Sequence, residues 1–172
     1  MGLPVPGRLT VVRPATEDDA TLLVAWHADP DVRPYWGDVT YTHGEMLERL
    51  RRPGVDAWIV EAGDELVGYV QSWWEDDEPR RGGLDMFLIP SARGRGLGPD
   101  AARALAQSLL DAGWQYVTVD PYAWNDQALR GWRNAGFVEV SRHPAGGDHT
   151  DDWVLMRFEA AVESSSLVEP GS

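Results

Sequence analysis

The residues of this chain best suited to holding an anionic ligand lie in a glycine-rich segment, 93–98 (RGRGLG). Its glycines alternate, and without Cβ atoms the backbone there can approach a ligand closely. An apolar stretch typical of a buried strand precedes the segment and an amphipathic helix pattern follows it, so unpaired helix amides would face the ligand. We therefore predict a pyrophosphate site, although a plain strand-to-helix connection could use the same residues. The predicted contacts are Arg93, Gly94, Arg95, Gly96, Leu97 and Gly98.

Two other nucleotide-binding motifs are excluded by the residues of this segment. A P-loop ends in Gly-Lys-Ser or Gly-Lys-Thr, whereas this segment ends in Leu97-Gly98-Pro99. A dinucleotide-binding turn has the spacing Gly-x-Gly-x-x-Gly, and the spacing here is Gly-x-Gly-x-Gly.

Asp85 is the candidate catalytic residue. It interrupts an otherwise apolar strand pattern over residues 84–89 (LDMFLI), and a buried carboxylate is costly unless it has a partner or a function. It could accept a proton from a substrate ammonium, whose deprotonation at pH 7 costs roughly 4–5 kcal/mol. It could also be a structural acid paired with Arg80 or Arg81.

Two polar residues follow the next predicted strand. Asp120 comes just before Pro121, at the carboxyl end of a strand, where open α/β sheets bind ligands. We assign it to a substrate ammonium, with the capping of a turn as the alternative. Asn125 stands at the start of a predicted helix, where its side chain could act as the N-cap.

Aromatic residues and acids suggest a surface for a cationic substrate. The chain has nine tryptophans, more than a core of this size needs. Tyr35 and Trp36 lie on a proline-containing connection, and alternation along residues 65–74 places Tyr69, Gln71 and Trp73 on one strand face and Trp74 on the other. Acids cluster in 75–78 and in 148–152. The first cluster could be a solvated hairpin tip or could border a substrate cleft.

Composition limits the possible functions. The chain has 172 residues, enough for one domain, and a net charge of −13, which argues against nucleic acid and suits a cationic substrate or serves solubility alone. It has no cysteine, which excludes disulfides, thiolate metal sites and a cysteine nucleophile. No apolar run is long enough to span a membrane, and the first residues do not form a signal peptide, so we predict a cytoplasmic protein that is a monomer or homodimer.

The pattern of these segments, over roughly residues 9–158, resembles the GNAT (GCN5-related N-acetyltransferase) superfamily, and most closely its aminoglycoside 6'-N-acetyltransferases. The resemblance rests on six segments, 31–37 (DVRPYWG), 68–72 (GYVQS), 83–88 (GLDMFL), 93–98 (RGRGLG), 120–125 (DPYAWN) and 128–137 (ALRGWRNAGF). It implies that acetyl-CoA is the co-substrate, that the pyrophosphate lies at 93–98, that Leu88 and Asn125 contact the pantetheine arm, and that no metal is needed. It further implies that Asp85 is the base and that an antibiotic is the acceptor, which would confer resistance.

The resemblance also implies which residues contact the acceptor. They are Tyr35, Trp36, Gln71, Trp73, Trp74, Asp85, Asp120 and Asp152. Siderophore-type acyltransferases tend to carry histidine where this chain has Asp85, which favours a polyamine sugar over a siderophore precursor or another small amine. Trp132 stands where the family commonly has a tyrosine that protonates the leaving thiolate, and indole cannot act as an acid at neutral pH. Tyr122, water or no acid at all could replace it, and a non-catalytic acyl-CoA-binding domain is a further alternative.

The elements that position these residues follow from periodicity and capping. We predict an α/β GNAT fold with a single mixed, mostly antiparallel sheet of about seven strands and about four helices. The predicted strands are 9–13, 57–61, 65–74, 84–89, 116–120, 137–142 and 153–158, and the predicted helices are 16–28, 42–52, 99–111 and 125–135. Residues 1–8 are predicted to be a flexible lead, 9–160 the acetyltransferase domain, 143–150 a poorly ordered loop and 161–172 a disordered tail.

Overall fold

A computed structural model describes residues 2–160 of the chain, except for the side chain of Asp76. Within this range a single sheet contains eight strands in the order β1-β2-β3-β4-β5-β6-β8-β7. The strands are β1 (Val5–Pro6), β2 (Val11–Pro14), β3 (Val55–Ala62), β4 (Glu65–Asp77), β5 (Arg80–Leu88), β6 (Tyr116–Val119), β7 (Phe137–His143) and β8 (Trp153–Phe158). Neighbouring strands are antiparallel except for β5 and β6, which are parallel.

Four α-helices of the described part of the chain cover the two faces of the sheet. They are α1 (Ala20–Ala28), α2 (His43–Leu50), α3 (Leu97–Asp111) and α4 (Asp126–Ala135). One apolar cluster lies with α1 and α2 and includes Leu23, Met46, Tyr69 and Phe87. A second and larger cluster lies on the other face with α3 and α4. The predicted α/β fold with a mixed, mostly antiparallel sheet is therefore confirmed, with one more strand than expected.

Local sequence explains where the helices begin and end. The side chain of Thr42 accepts a hydrogen bond from the Glu45 amide, and Glu45 reaches back to the Thr42 amide, which completes the predicted capping box of α2. Helix α4 ends at Gly136 in a left-handed conformation, with φ of 106°. Residues 17–19 form one turn of 3₁₀-helix before α1, so the predicted first helix is divided in two.

The N-terminal lead is more structured than the sequence predicted. Residues Val5 and Pro6 pair with Val12 and Val11 of β2 and extend the sheet. The Asp100 carboxylate on α3 accepts hydrogen bonds from the backbone amides of residues 8, 9 and 10. The sequence did not predict these contacts, since the pairing of β1 involves only two residues and the bonds to Asp100 join segments about ninety residues apart. The predicted tail, 161–172, lies outside the described residues.

Strands β5 and β6 diverge in the middle of the sheet. Their pairing covers only Arg81–Gly83 of β5 and Tyr116–Thr118 of β6. Beyond this point, residues 84–88 of β5 continue to pair with β4 but have no ladder to β6. The sheet therefore opens into a wedge, with Asp85 on one side and Asp120 at the end of β6 on the other.

Candidate active site

The glycine-rich turn between β5 and α3 has the geometry of an anion site. Gly94 and Gly96 have φ of 74° and 76°, left-handed values that cost other residues about 1–2 kcal/mol. Gly96 is the N-cap of α3, so Leu97 and Gly98 are the first helical residues and their amides have no carbonyl partner within the helix. These amides and the positive end of the helix dipole fit the pyrophosphate of a nucleotide.

The arginine side chains of this turn have other partners. Arg93 donates from Nη2 to the Asp31 carbonyl at 2.8 Å and from Nε to the Leu88 carbonyl at 3.3 Å. Arg95 pairs with Glu65 at 3.4 Å. Backbone amides are therefore the groups that the turn presents, and Arg93 ties the turn to the connection before Tyr35.

The wedge offers an edge on which an extended ligand arm could lie. Residues 84–88 of β5 have no ladder on the side facing β6, and an extended chain can pair with such an edge. The side chains of Met86 and Leu88 point to the sheet face opposite the one that carries Asp85. There they lie against Gly98 of α3, where an added Cβ would be within 3.4 Å of both. Asn125 caps α4, since its side-chain oxygen accepts from the Ala128 amide at 3.1 Å. The capping alternative for Asn125 is therefore observed, and its role in binding a pantetheine arm stays a prediction.

Asp85 lies at the wedge and pairs with a neutral residue on β4. Gln71 is directly opposite in the antiparallel register, and its Nε2 donates to Asp85 Oδ2 at 2.8 Å. Burial raises the pKa of Asp85 to about 6, the Gln71 hydrogen bond opposes this, and the charge of Asp120 adds to it. Arg80, one of the two predicted ion-pair partners, instead stacks over Trp74 at 4.2 Å. A carboxylate with a raised pKa is a stronger base than an ordinary aspartate.

Aromatic rings pack on the sheet face that carries Asp85, and those of Tyr69 and Phe87 are buried. Tyr69 and Phe87 pair across β4 and β5 on the same face as Gln71 and Asp85, and the Trp36 ring packs edge-on against both, at 5.6 and 5.2 Å. Buried His27 lies beneath them and donates from Nδ1 to the Leu23 carbonyl at 2.6 Å, since a carbonyl can only accept. Burial raises the pKa of Tyr69 to about 12, so its hydroxyl stays protonated and reaches Gln71 Oε1 at 3.4 Å.

Trp73 and Trp74 point to opposite faces, as alternation predicted. Trp73 is on the Asp85 face, and its indole covers Gly83, where a Cβ would lie 2.7 Å from the ring. Trp74 packs against Trp114 on the other face, with ring centroids 5.9 Å apart. The structure therefore does not bring Trp74 to the candidate site, because adjacent residues of a strand point to opposite faces of the sheet. The exposed ring of Tyr35 lies beside Arg93, nearer the glycine-rich turn.

Two acidic groups that the sequence singled out have different surroundings. The acids of 75–78 lie at the tip of the β4–β5 hairpin, the end remote from the glycine-rich turn, which favours the solvated-tip interpretation. Asp152 is exposed, and its Oδ1 accepts from the Ala145 amide at 3.0 Å. That bond, together with paired amides between Gly146 and His149, orders the loop predicted to be poorly ordered.

Asp120 has a partner that sequence reasoning missed. His149 Nε2 lies 2.8 Å from Asp120 Oδ2, and the His149 ring stacks on Trp153 at 4.2 Å. Trp153 is in turn stacked on its other side by His143, at 4.3 Å. Only the position of His149 in an acidic segment marked it in the sequence, because its partner is twenty-nine residues away.

Residues 2–160 contain no candidate metal site and no candidate membrane span. No group of three or more histidine, aspartate or glutamate side chains in this part of the chain could hold a metal ion. None of its helices combines the length and apolar character that crossing a bilayer requires.

The fold and the site define a class of enzyme. Residues 8–138 match the model of the Acetyltransferase (GNAT) domain family. The chain therefore belongs to the GNAT acetyltransferases, and its co-substrate is acetyl-CoA. The glycine-rich turn and the open edge of β5 are suited to its pyrophosphate and its extended arm.

Several characterised proteins are similar to this chain. The solved structure of the aminoglycoside acetyltransferase AAC(6')-Ib with paromomycin and acetyl-CoA has a TM-score of 0.74 and 26% identity, and covers 87% of this chain and 92% of that one. A spermidine N-acetyltransferase from Vibrio cholerae, solved with CoA and spermine, has a TM-score of 0.76 at 15% identity, covering 87% and 95%, which shows the fold alone. The thialysine N-epsilon-acetyltransferase of Mus musculus is 21% identical over 124 residues, 72% of this chain and 68% of that protein.

Proposed function

We propose that this acetyltransferase moves the acetyl group of acetyl-CoA to the 6'-amine of an aminoglycoside. The observation that carries the proposal is Asp85, a carboxylate with a raised pKa at the mouth of the wedge. On its sheet face lie the aromatic rings of Trp36 and Trp73, and across the wedge lies the carboxylate of Asp120. Aromatic faces and carboxylates together suit an acceptor that is both ring-shaped and cationic. The similarity to AAC(6')-Ib supports the same choice.

The proposed reaction requires Asp85 to accept one proton. The acceptor ammonium gives a proton to Asp85, and the neutral amine attacks the thioester carbonyl. A C–N bond forms and the C–S bond breaks. The attacking nitrogen loses its second proton to water, and the departing thiolate takes a proton from water, so the products are the neutral amide, the free thiol and protonated Asp85. The raised pKa of Asp85 reduces the difference between its pKa and that of the acceptor ammonium by about 2 units. The proton transfer is therefore about 3 kcal/mol easier than with an ordinary aspartate.

The remaining predicted contacts divide between the two substrates. The amides of residues 95–98 bind the pyrophosphate, and Asn125 and the Leu88 backbone bind the arm. Trp36, Gln71 and Trp73 contact the acceptor ring that carries the reacting amine. Asp120 binds a second ammonium, through the carboxylate oxygen that His149 leaves unoccupied. In a cell the reaction would inactivate the antibiotic and confer resistance.

A small linear amine is the second candidate acceptor. The relative from Mus musculus is named for an amino-acid amine, and a polyamine would also suit the acidic chain. The half-buried indoles of Trp36 and Trp73 favour a ring over a linear chain, because a flexible chain would gain less contact per ordered bond.

Thiol release from acetyl-CoA separates the candidates. We expect turnover with kanamycin and tobramycin at least a hundredfold more efficient, in kcat/KM, than with spermidine or a hydroxylated lysine. NMR of the product should locate the acetyl group on the 6'-nitrogen. Efficient turnover of a linear amine alone would refute the aminoglycoside assignment, and binding of acetyl-CoA without turnover of any amine would leave the non-catalytic alternative.

A further inference from the structure

A row of aromatic rings leads from Asp120 to the surface of the protein. The His149 ring, bonded to Asp120, meets the edge of Tyr122 at 6.2 Å and an interplanar angle of 85°. The Tyr122 and Trp124 rings are nearly parallel, at 10°, with centroids 5.7 Å apart. The row therefore connects the acceptor side of the candidate site to an indole at the protein surface.

Trp124 is exposed but held in place. It is 56% exposed, and its Nε1 donates to Asp151 Oδ2 at 3.1 Å. A hydrogen bond at one edge and a stacked ring on one face fix the orientation of the indole. A rigid aromatic surface gives a ligand contact area at little cost in conformational entropy.

Charge indicates what this surface would bind. Asp148 and Asp151 are exposed on the same segment as His149, and the whole chain carries a net charge of −13. A ring that bears ammonium groups can stack on an indole while those groups interact with the carboxylates. A neutral or acidic ligand would lack the second interaction.

We propose that Trp124, supported by Tyr122, is a stacking platform for the acceptor ring next to the one that carries the reacting amine. The inference rests on the proposed aminoglycoside activity and makes it more specific. The preferred acceptor has at least two linked, amino-substituted rings, of which the first reaches Asp85 and the second lies on Trp124. Trp124 is thus a residue that determines specificity and takes no part in proton transfer.

The test compares acceptors of different size in the complex with coenzyme A. Calorimetric Kd values are measured for kanamycin, with three rings, and for 6-amino-6-deoxyglucose, a single ring with the same amine. We expect Trp124→Ala to weaken kanamycin binding about tenfold and single-ring binding less than twofold. Val140→Ala is the matched control, since Val140 is a similarly exposed apolar residue, at 53%, on β7, and it should change neither. Trp124→Phe keeps a ring but not the bond to Asp151, and should give an intermediate loss.

The outcomes for the platform and for the enzyme are separable. Coenzyme A affinity checks that each variant is folded. The platform is refuted if Trp124→Ala weakens both probes equally, if it changes kanamycin binding less than twofold, or if the wild type does not bind kanamycin more tightly than the single ring. If the enzyme releases thiol with kanamycin but Trp124→Ala does not change kanamycin binding, the proposed function is supported and the platform is refuted. A Trp124-dependent preference for kanamycin without thiol release supports the platform and contradicts the proposed function.

Discussion

Replacement of Asp85 by asparagine should lower activity and raise stability at the same time. The pKa of Asp85 rises from 3.8 to about 6 on folding, chiefly because burial disfavours the charged carboxylate. A shift of about 2 units corresponds to about 3 kcal/mol. Because the folded-state pKa is the higher one, the folded protein binds this proton more tightly, and the ionised carboxylate costs stability fully above pH 6. Below 3.8 both states are protonated and the cost disappears.

Asparagine has nearly the same shape and carries no charge to desolvate, and its side-chain oxygen can still accept from Gln71. At pH 8 we expect the free energy of unfolding of Asp85→Asn to exceed that of the wild type by up to about 3 kcal/mol, or several degrees in Tm. At pH 4 the gain should be close to zero. Urea denaturation of both proteins at pH 4, 6 and 8 measures the difference.

Asp100→Asn is the matched control with the opposite sign. Burial alone would raise the pKa of Asp100, but hydrogen bonds from the Leu9 amide and from Thr10 outweigh it, and the net pKa is lowered. That carboxylate therefore stabilises the fold above its unfolded-state pKa, and the stabilisation is lost as the pH falls. Its replacement should destabilise the protein at pH 8 and less so at low pH.

The activity of Asp85→Asn completes the test. The kcat for thiol release with kanamycin should fall a hundredfold or more, with KM for acetyl-CoA unchanged, because asparagine cannot accept the proton. A variant that is less stable than the wild type at pH 8, or equally stabilised at pH 4 and 8, would refute the burial argument. Equal losses of turnover and cofactor affinity would mean that Asp85 is structural.

Three further substitutions test the rest of the site. Gly96→Ala should cost about 1–2 kcal/mol of stability and weaken coenzyme A binding in calorimetry, because φ of 76° disfavours a Cβ. Gly131→Ala, within helix α4, is the control. It should raise stability by about 0.5–1 kcal/mol and leave coenzyme A binding unchanged. Gln71→Leu removes a donor that lowers the pKa of Asp85, so the midpoint of the kcat profile should move above pH 6; an unmoved midpoint would show that the bond is unimportant. Trp132→Tyr should change kcat less than tenfold, and a hundredfold rise would show that thiolate protonation limits the wild type.

Much of the fold could be predicted from the sequence because local signals decide it. Thr42 with Glu45 and Gly136 each fix a helix end through neighbouring residues, and both were placed correctly. The glycines of 93–98 mark a turn as predicted, but α3 begins at Leu97, two residues before the predicted start. Strand lengths were predicted less well. β5 begins at Arg80, four residues before the predicted start. Pairing with β4 extends it through residues 80–83 (RRGG), which have no apolar pattern typical of a strand.

The acceptor side of the site was harder to predict than the cofactor side. The turn at 93–98 is one continuous segment, so its residue types and spacing carry most of its geometry. The residues proposed to bind the acceptor come mainly from β4, β5, the end of β6 and the loop before β8, and only pairing across the sheet brings these elements together. The neutral partner of Asp85 followed from strand register, which no local pattern specified.

The pairing of Asp120 with His149 shows why this difference has a chemical consequence. β8 inserts between β6 and β7, so the loop that precedes it returns to the end of β6 and sets a histidine against a carboxylate that the sequence suggested was open to substrate. One carboxylate oxygen is thereby occupied, and the other keeps the group available to a cation. The same loop supplies Asp151 to hold Trp124. Selectivity among amines should therefore follow changes in residues 144–152, whereas the transfer chemistry should follow Asp85 and the turn at 93–98.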